Sequence, residues 1–330
     1  EGSMVQLGWG SKQKRIQAAE TSHTSAIAES IAQDKDLTKT LLYSAGVPVP
    51  QGRVVTKLED ALAAAEWIKG PVVVKPRDGN QGKGVAVNLQ TVEQITAAFE
   101  VAYSISDEVI VERFLPGHDF RLLVVGNELV AAARRDPPYV IGDGQHTIRQ
   151  LVDVINSDPL RGDGHATSLS KIRLDAIGLA TLEEQQMTPE SVPPRGVRIN
   201  LRKNANLSTG GTATDVTDDV HPDMAASAVA AAHMVGLDIC GVDVVCDSVY
   251  RSLQEQGGGI VEVNAAPGLR MHLSPSYGKG RPVGEAIVRQ MFAPGDNGRI
   301  PVVAVSGTNG KTTTIRLTAH LIAQTGKRIG

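Results

Sequence analysis

Three groups of residues have types and spacings suited to work on phosphates. The first is Asp243 with Glu262 and Asn264. Glu262 and Asn264 are two apart in a strand-like run, so their side chains share a face. Asp243 lies in the preceding apolar run, between Val242 and Val244. If the two runs pair, three oxygen ligands converge, a set that suits Mg²⁺ bridging nucleotide phosphates. The plainer reading is a solvent-facing polar face. The second group is Lys75, which ends the run Val72-Val73-Val74 and precedes a loop containing Gly79, Gly82 and Gly84. A lysine at the end of a buried strand, beside exposed amides, can hold phosphate oxygens. An ordinary hairpin with a glycine-rich turn has the same letters. The third group is Glu112, which ends an apolar run and could accept the adenine amino group, with Asp119, which could accept ribose hydroxyls. Two exposed acids at a strand end are the alternative.

A fourth motif stands near the C-terminus. Gly307-Thr308-Asn309-Gly310-Lys311-Thr312-Thr313 lies between an apolar run and a helical pattern, the setting a phosphate loop requires. Val305 stands where the common form of that loop has its first glycine. Lys311 would neutralise phosphate charge and Thr312 would reach Mg²⁺.

The elements that must position these residues alternate. Asp34-Lys35-Asp36 opens a helical pattern with Leu37, Leu41 and Leu42 on one face, stopped at Gly46. A strand is predicted over 52–55, a helix over 58–68 and a buried strand over 71–75. A strand over 85–88, a helix over 92–103 and a strand over 108–112 follow. Runs 120–125 and 128–133 read as a hairpin turning at Gly126-Asn127. Residues 136–215 are less regular, with helical stretches near 147–156 and 175–186. A helix over 224–235 ends at Gly236, and strands follow over 239–245 and 260–264. Residues 281–293 read as helical, 294–300 as a linker, 301–306 as a strand and 312–324 as a helix. Residues 1–33 read as a polar linking segment.

Composition excludes several classes. The 330 residues carry 33 Lys plus Arg against 36 Asp plus Glu, a net charge of −3, which is no footprint for a nucleic acid. With 4 Phe, 5 Tyr and 2 Trp, stacking platforms for single strands are also scarce. Two cysteines make neither a disulfide framework nor a zinc site, so a reducing, cytoplasmic setting is expected. The longest apolar run, 224–237, is short of the roughly 20 residues a bilayer needs, so no membrane partner is expected. The opening Glu-Gly-Ser-Met carries no signal-peptide pattern. The phosphate-loop motif near Gly330 leads us to expect an excerpt of a longer polypeptide.

The order of the motifs carries a resemblance. Asp34-Lys35, Val-Lys75-Pro with its glycine loop, Val-Glu112-Arg-Phe, Gly-Val-Asp243-Val and Val-Glu262-Val-Asn264-Ala-Ala-Pro-Gly together resemble the ATP-grasp superfamily. The segments 6–16, 204–211 and Arg270-Met271-His272, with the join to the phosphate loop, resemble the cyanophycin synthetases, which fuse an ATP-grasp domain to a Mur-ligase-like domain. The resemblance implies an α/β fold, an α+β ATP-grasp domain over 34–293. Its small lobe would span about 46–115 and its large lobe about 116–293, with the nucleotide between them. The start of a P-loop Mur-ligase-like α/β domain would follow over 301–330. It implies ATP and Mg²⁺ as cofactors: Lys35 and Lys75 on the phosphates, Gln81, Gly82 and Gly84 covering them, Glu112 on adenine, Asp119 on ribose. Asp243, Glu262 and Asn264 would hold metal. Arg202 and Arg270 would be catalytic, near the acyl phosphate, with Asn206, Ser208, Gly210 and Gly211 near the substrate. Gly307, Thr308, Asn309, Gly310, Lys311, Thr312 and Thr313 would bind a second nucleotide. The implied partners are aspartate, arginine and a polyaspartate–arginine primer, and the implied assembly is a homo-oligomer. A glutathione-synthetase-like peptide ligase and a non-catalytic binding module are the alternatives.

Overall fold

The computed structural model describes residues 4–78, 84–163, 167 and 169–329. Two antiparallel sheets organise it. The first runs Gly52–Val55, Val109–Arg113, Val72–Pro76, Ala86–Leu89 in spatial order. The second runs Thr212–Asp215, Glu128–Asp136, His118–Val125, Ile239–Cys246, Gly259–Asn264.

Alternation explains which face each sheet buries. In the four-stranded sheet Val72, Val74, Val109 and Val111 pack on helices Leu58–Ile68 and Val92–Tyr103. The second helix starts with a capping box, in which the Thr91 side chain accepts from Gln94 N and Gln94 returns to the Thr91 amide. Val73, Lys75, Ile110 and Glu112 therefore point to the other face. In the five-stranded sheet Phe120, Leu122, Val124, Val242 and Val244 pack on helix Pro222–Val235. That helix begins on Pro222 and ends at Gly236 in a left-handed conformation (φ 85°), so both termini follow from sequence. Leu123, Val125, Ala131 and Ile239, on the opposite face, pack on helix Val283–Met291. The same face further along carries Asp119, Arg121 and Asp243, left uncovered by that helix.

The hairpin forms where predicted: Val125 pairs with Glu128 across Gly126-Asn127, with Gly126 at φ 61°. Residues 138–201 form an insertion between the paired strands Glu128–Asp136 and Thr212–Asp215. It has its own core of Val140, Ile148, Val152, Leu182 and Leu201.

Two expectations need correcting. The N-terminal segment is structured, with strands Met4–Leu7, Lys14–Gln17 and Glu20–Thr21 and helix Ala26–Gln33. The Thr21 and Thr24 hydroxyls donate to Asp238 (2.5 and 2.8 Å), tying it to the large sheet. Its polar letters hid strands whose pairing, not burial, holds them. At the other end, residues 301–306 form no strand, because no neighbouring strand is there to pair with them among the described residues. The helix after them, Lys311–Ala323, forms as predicted to within a residue, with no buried side chain.

Candidate active site

One helix, Lys35–Ser44, joins the two sheets chemically. Asp34 caps it, accepting from the amides of Asp36 and Leu37, while its other oxygen accepts from Arg77 (3.0 Å). Lys35 lies 3.9 Å from Glu262 on the five-stranded sheet. Lys39, one turn on, ion-pairs with Glu112 on the four-stranded sheet. Positions four apart share a helix face about 6 Å apart along the axis. This helix therefore reaches an acidic residue of each sheet, Glu262 through Lys35 and Glu112 through Lys39.

Glu112 is buried between two ammonium groups, with Lys75 Nζ 2.5 Å from its Oε1 and Lys39 on Oε2. Burial alone would raise its pKa, but Lys75 and Lys39 outweigh burial and pull it down to about 2. Burial pulls Lys39 down to about 8, against the attraction of Glu112. Nothing in the sequence pattern marked Lys39 except its four-residue spacing from Lys35. A cavity of about 320 Å³ adjoins the cluster, lined by Lys39, Glu112, Ile110, Tyr43 and Trp67.

Glu262 and Asn264 line a second cavity, of about 590 Å³, with Lys35, Arg77, Asp78 and Glu29. Asp243 stands opposite Glu262 in register. Both its oxygens are taken by guanidinium groups, Arg121 as a bidentate partner and Arg135 at 3.1 Å. Burial would raise the Asp243 pKa, yet the two arginines hold it below the usual carboxylate range. Arg135 also donates twice to Asp119 Oδ1 (2.9 and 2.5 Å). Glu262 and Asn264 remain as neighbouring hard oxygen donors, and that donor set fits Mg²⁺ completed by phosphate oxygens and water. Among the described residues no three His, Cys, Asp or Glu side chains cluster as a metal cage.

Arg121 and Arg135 also line a cavity of about 550 Å³, with Asn206, Ser208 and Arg270. Arg270 reaches the Thr167 carbonyl (3.0 Å) and Ser170 Oγ (3.2 Å). Asn206 starts a tight turn at Leu207–Thr209, and its carbonyl accepts from Gly211 N (3.2 Å). Gly210 closes that turn at φ 97°, where a Cβ would sit 2.6 Å from Ile172 Cγ1. His272, under Arg121 and Arg135, is buried without a side-chain partner among the described residues. Burial and Arg121 push its imidazole down to about 3, so it is neutral. Arg121 and Arg135 escaped the sequence reading, although a charged residue such as Arg121 inside the largely apolar strand His118–Val125 signals a buried partner.

Other candidates lie elsewhere. Arg202 ion-pairs with Asp175 outside this cavity's lining. Gly84 follows the segment holding Gln81 and Gly82, which lie outside the described residues. Gly307, Thr308, Asn309, Gly310, Lys311, Thr312 and Thr313 form an exposed turn and helix start, in which Lys311 Nζ donates to the carbonyls of Gly307 and Thr308.

Known proteins resemble the chain over parts of their length. Residues 32–138 match the RimK-like ATP-grasp domain. The chain is 48% identical over 99% of its length to a cyanophycin synthetase of Trichormus variabilis, and spans 36% of that relative. It is 35% identical over 88% of its length to a glutathione biosynthesis bifunctional protein of Clostridium perfringens, 38% of which is covered. The crystal structure of a bifunctional glutathione synthetase from Pasteurella multocida aligns with a TM-score of 0.66 at 34% identity, covering 88% of this chain and 40% of that one. The chain thus spans little more than a third of the curated relatives it matches.

Proposed function

We propose, from its likeness to ATP-grasp proteins, that the chain is a ligase that uses ATP to activate a carboxylate as an acyl phosphate and then joins it to an amine. The observation that carries the reading is the helix Lys35–Ser44, which pairs with Glu262 of one sheet and Glu112 of the other, each beside a cavity. A carboxylate is a poor electrophile at neutral pH, and phosphorylation gives it a leaving group. Lys75 and Lys35 would hold the ATP phosphates, and Glu112 would accept the adenine amino group. Arg121, Arg135 and Arg270 would stabilise charge on the acyl phosphate in the cavity they line. Mg²⁺, held by Glu262 and Asn264, would neutralise phosphate charge. The protein's own share is positioning and preorganised charge.

Similarity to a cyanophycin synthetase, with the motifs that resemble that family, favours a finer reading: addition of aspartate to the C-terminal carboxylate of a growing polyaspartate–arginine primer. The loop Gly307–Thr313 would open a Mur-ligase-like part that adds arginine to aspartate side chains. Labelled aspartate and labelled arginine, followed separately into an arginyl-aspartate primer, test both. Lys75→Ala should stop aspartate addition and Lys311→Ala should stop arginine addition. Aspartate addition unaffected by Lys75→Ala would refute the site. The glutathione-type relatives favour a second reading, a small-peptide ligase. ADP release with γ-glutamyl-cysteine and glycine, but not with the primer, would select it.

A further inference from the structure

Arg202 is almost fully buried, with 7% of its side-chain surface exposed. One terminal nitrogen donates to Asp175, and its buried Nε has no partner among the described residues. Arg202 lines a separate cavity of about 260 Å³, together with Lys171, Arg173, Asp163, Asp175 and Ser208. Lys171 and Arg173 share Asp163 (3.2 and 3.0 Å), and Arg202 holds Asp175. Three cations thus meet two carboxylates, leaving one positive charge in excess. A small polar cavity with one surplus positive charge, walled by the Arg202 guanidinium, suits a carboxylate. It is too small for a nucleotide and is the size of a single amino acid.

Its position gives the site a role. Ser208 lines both this cavity and the larger one formed by Arg121, Arg135 and Arg270. Ser170 lines the small cavity and binds Arg270 of the large one (3.2 Å). The two spaces therefore share a wall. A ligase needs such neighbours, one for the activated acyl group and one for the incoming amine. We propose that the Arg202 cavity binds a carboxylate of the amino acid being added and presents its amine past Ser208 to the acyl phosphate. This rests on the ligase reading above. In that step the nitrogen lone pair forms the C–N bond and the C–O bond to phosphate breaks with its electron pair. Inorganic phosphate leaves, and the nitrogen sheds its extra proton to solvent.

The test is ADP release by the full chain with primer and ATP, varying aspartate and its two mono-amides, asparagine and isoasparagine. Arg202→Gln should raise the KM for aspartate about 10- to 100-fold, the loss of one charged hydrogen bond. The KM for ATP and for primer should stay within about two-fold, because Arg202 lines none of the cavities assigned to them. With the mono-amide that lacks the bound carboxylate, the unmodified enzyme should already show the raised KM, and Arg202→Gln should add nothing. If Arg202→Gln melts early, the exposed pair Lys171→Gln/Arg173→Gln reads the same way through the same acceptor comparison. Equal losses with aspartate and both amides, or an unshifted KM for aspartate, overturn the site alone. No ADP release by the unmodified enzyme with any amine overturns the ligase reading and the site with it.

Discussion

Glu112→Gln removes the negative charge from between Lys75 and Lys39 while keeping the side chain's shape. The displacement of Glu112 from its ordinary 4.5 to about 2 corresponds to about 3 kcal/mol of stabilisation of the ionised form. Breaking a buried ion pair by deleting one partner typically costs about 3–5 kcal/mol, because the other charge is stranded. We expect a loss of about 3 kcal/mol at pH 7. Urea unfolding followed by the fluorescence of Trp67, on the helix Leu58–Ile68 that backs the four-stranded sheet, measures it. The pH dependence has a definite sign. Lys39 has a folded pKa near 8, below its ordinary 10.5, so the native state sheds that proton first and gains stability as pH rises above 8. Without Glu112 the folded pKa falls further, so the variant begins this gain at lower pH. Its deficit should therefore be smaller at pH 9 than at pH 7. On the acid side the Glu112 contribution is present above pH 4.5 and is lost as pH falls toward 2. A loss under about 1 kcal/mol at pH 7, the scale of an exposed pair, would refute the buried Lys–Glu–Lys cluster, as would an equal deficit at pH 7 and 9.

Three more predictions follow from packing and charge. Asp243→Asn leaves Arg121 and Arg135 without their shared anion and should cost about 3–5 kcal/mol in a urea titration. Leu122→Ala, fully buried against the helix Pro222–Val235, should cost about 2–5 kcal/mol in the same assay. Gly210→Ala puts a Cβ into Ile172 at a left-handed φ and should cost about 1–3 kcal/mol. A drop in thermal midpoint checks it, and an unchanged midpoint would mean the turn relaxes freely.

What the sequence showed was mostly local. The run Val72–Pro76, the Gly126-Asn127 turn and the helix ending at Gly236 each carry their own signal within a few residues. The alternation that put Glu262 and Asn264 on one face is of the same kind. What it hid depended on distant partners. Asp243 could be placed on a strand, but its bond to Arg121 spans 122 positions and is set by register, not by spacing. Lys35 and Lys39 look alike on one helix face, and only packing assigns Lys39 to Glu112. Arg202 looks like any surface arginine until the insertion folds and buries it beside Asp175. The strands of residues 4–21 were invisible because their side chains are largely exposed.

The central claim is acyl-phosphate chemistry, and oxygen transfer tests it most directly. With the acceptor carboxylate labelled by ¹⁸O, the full chain is supplied with ATP, Mg²⁺ and the amine, and the released phosphate is analysed by mass. The account predicts one ¹⁸O atom in inorganic phosphate per amide formed, with ADP as the nucleotide product. Label appearing in AMP, or amide formation with unlabelled phosphate, would contradict it.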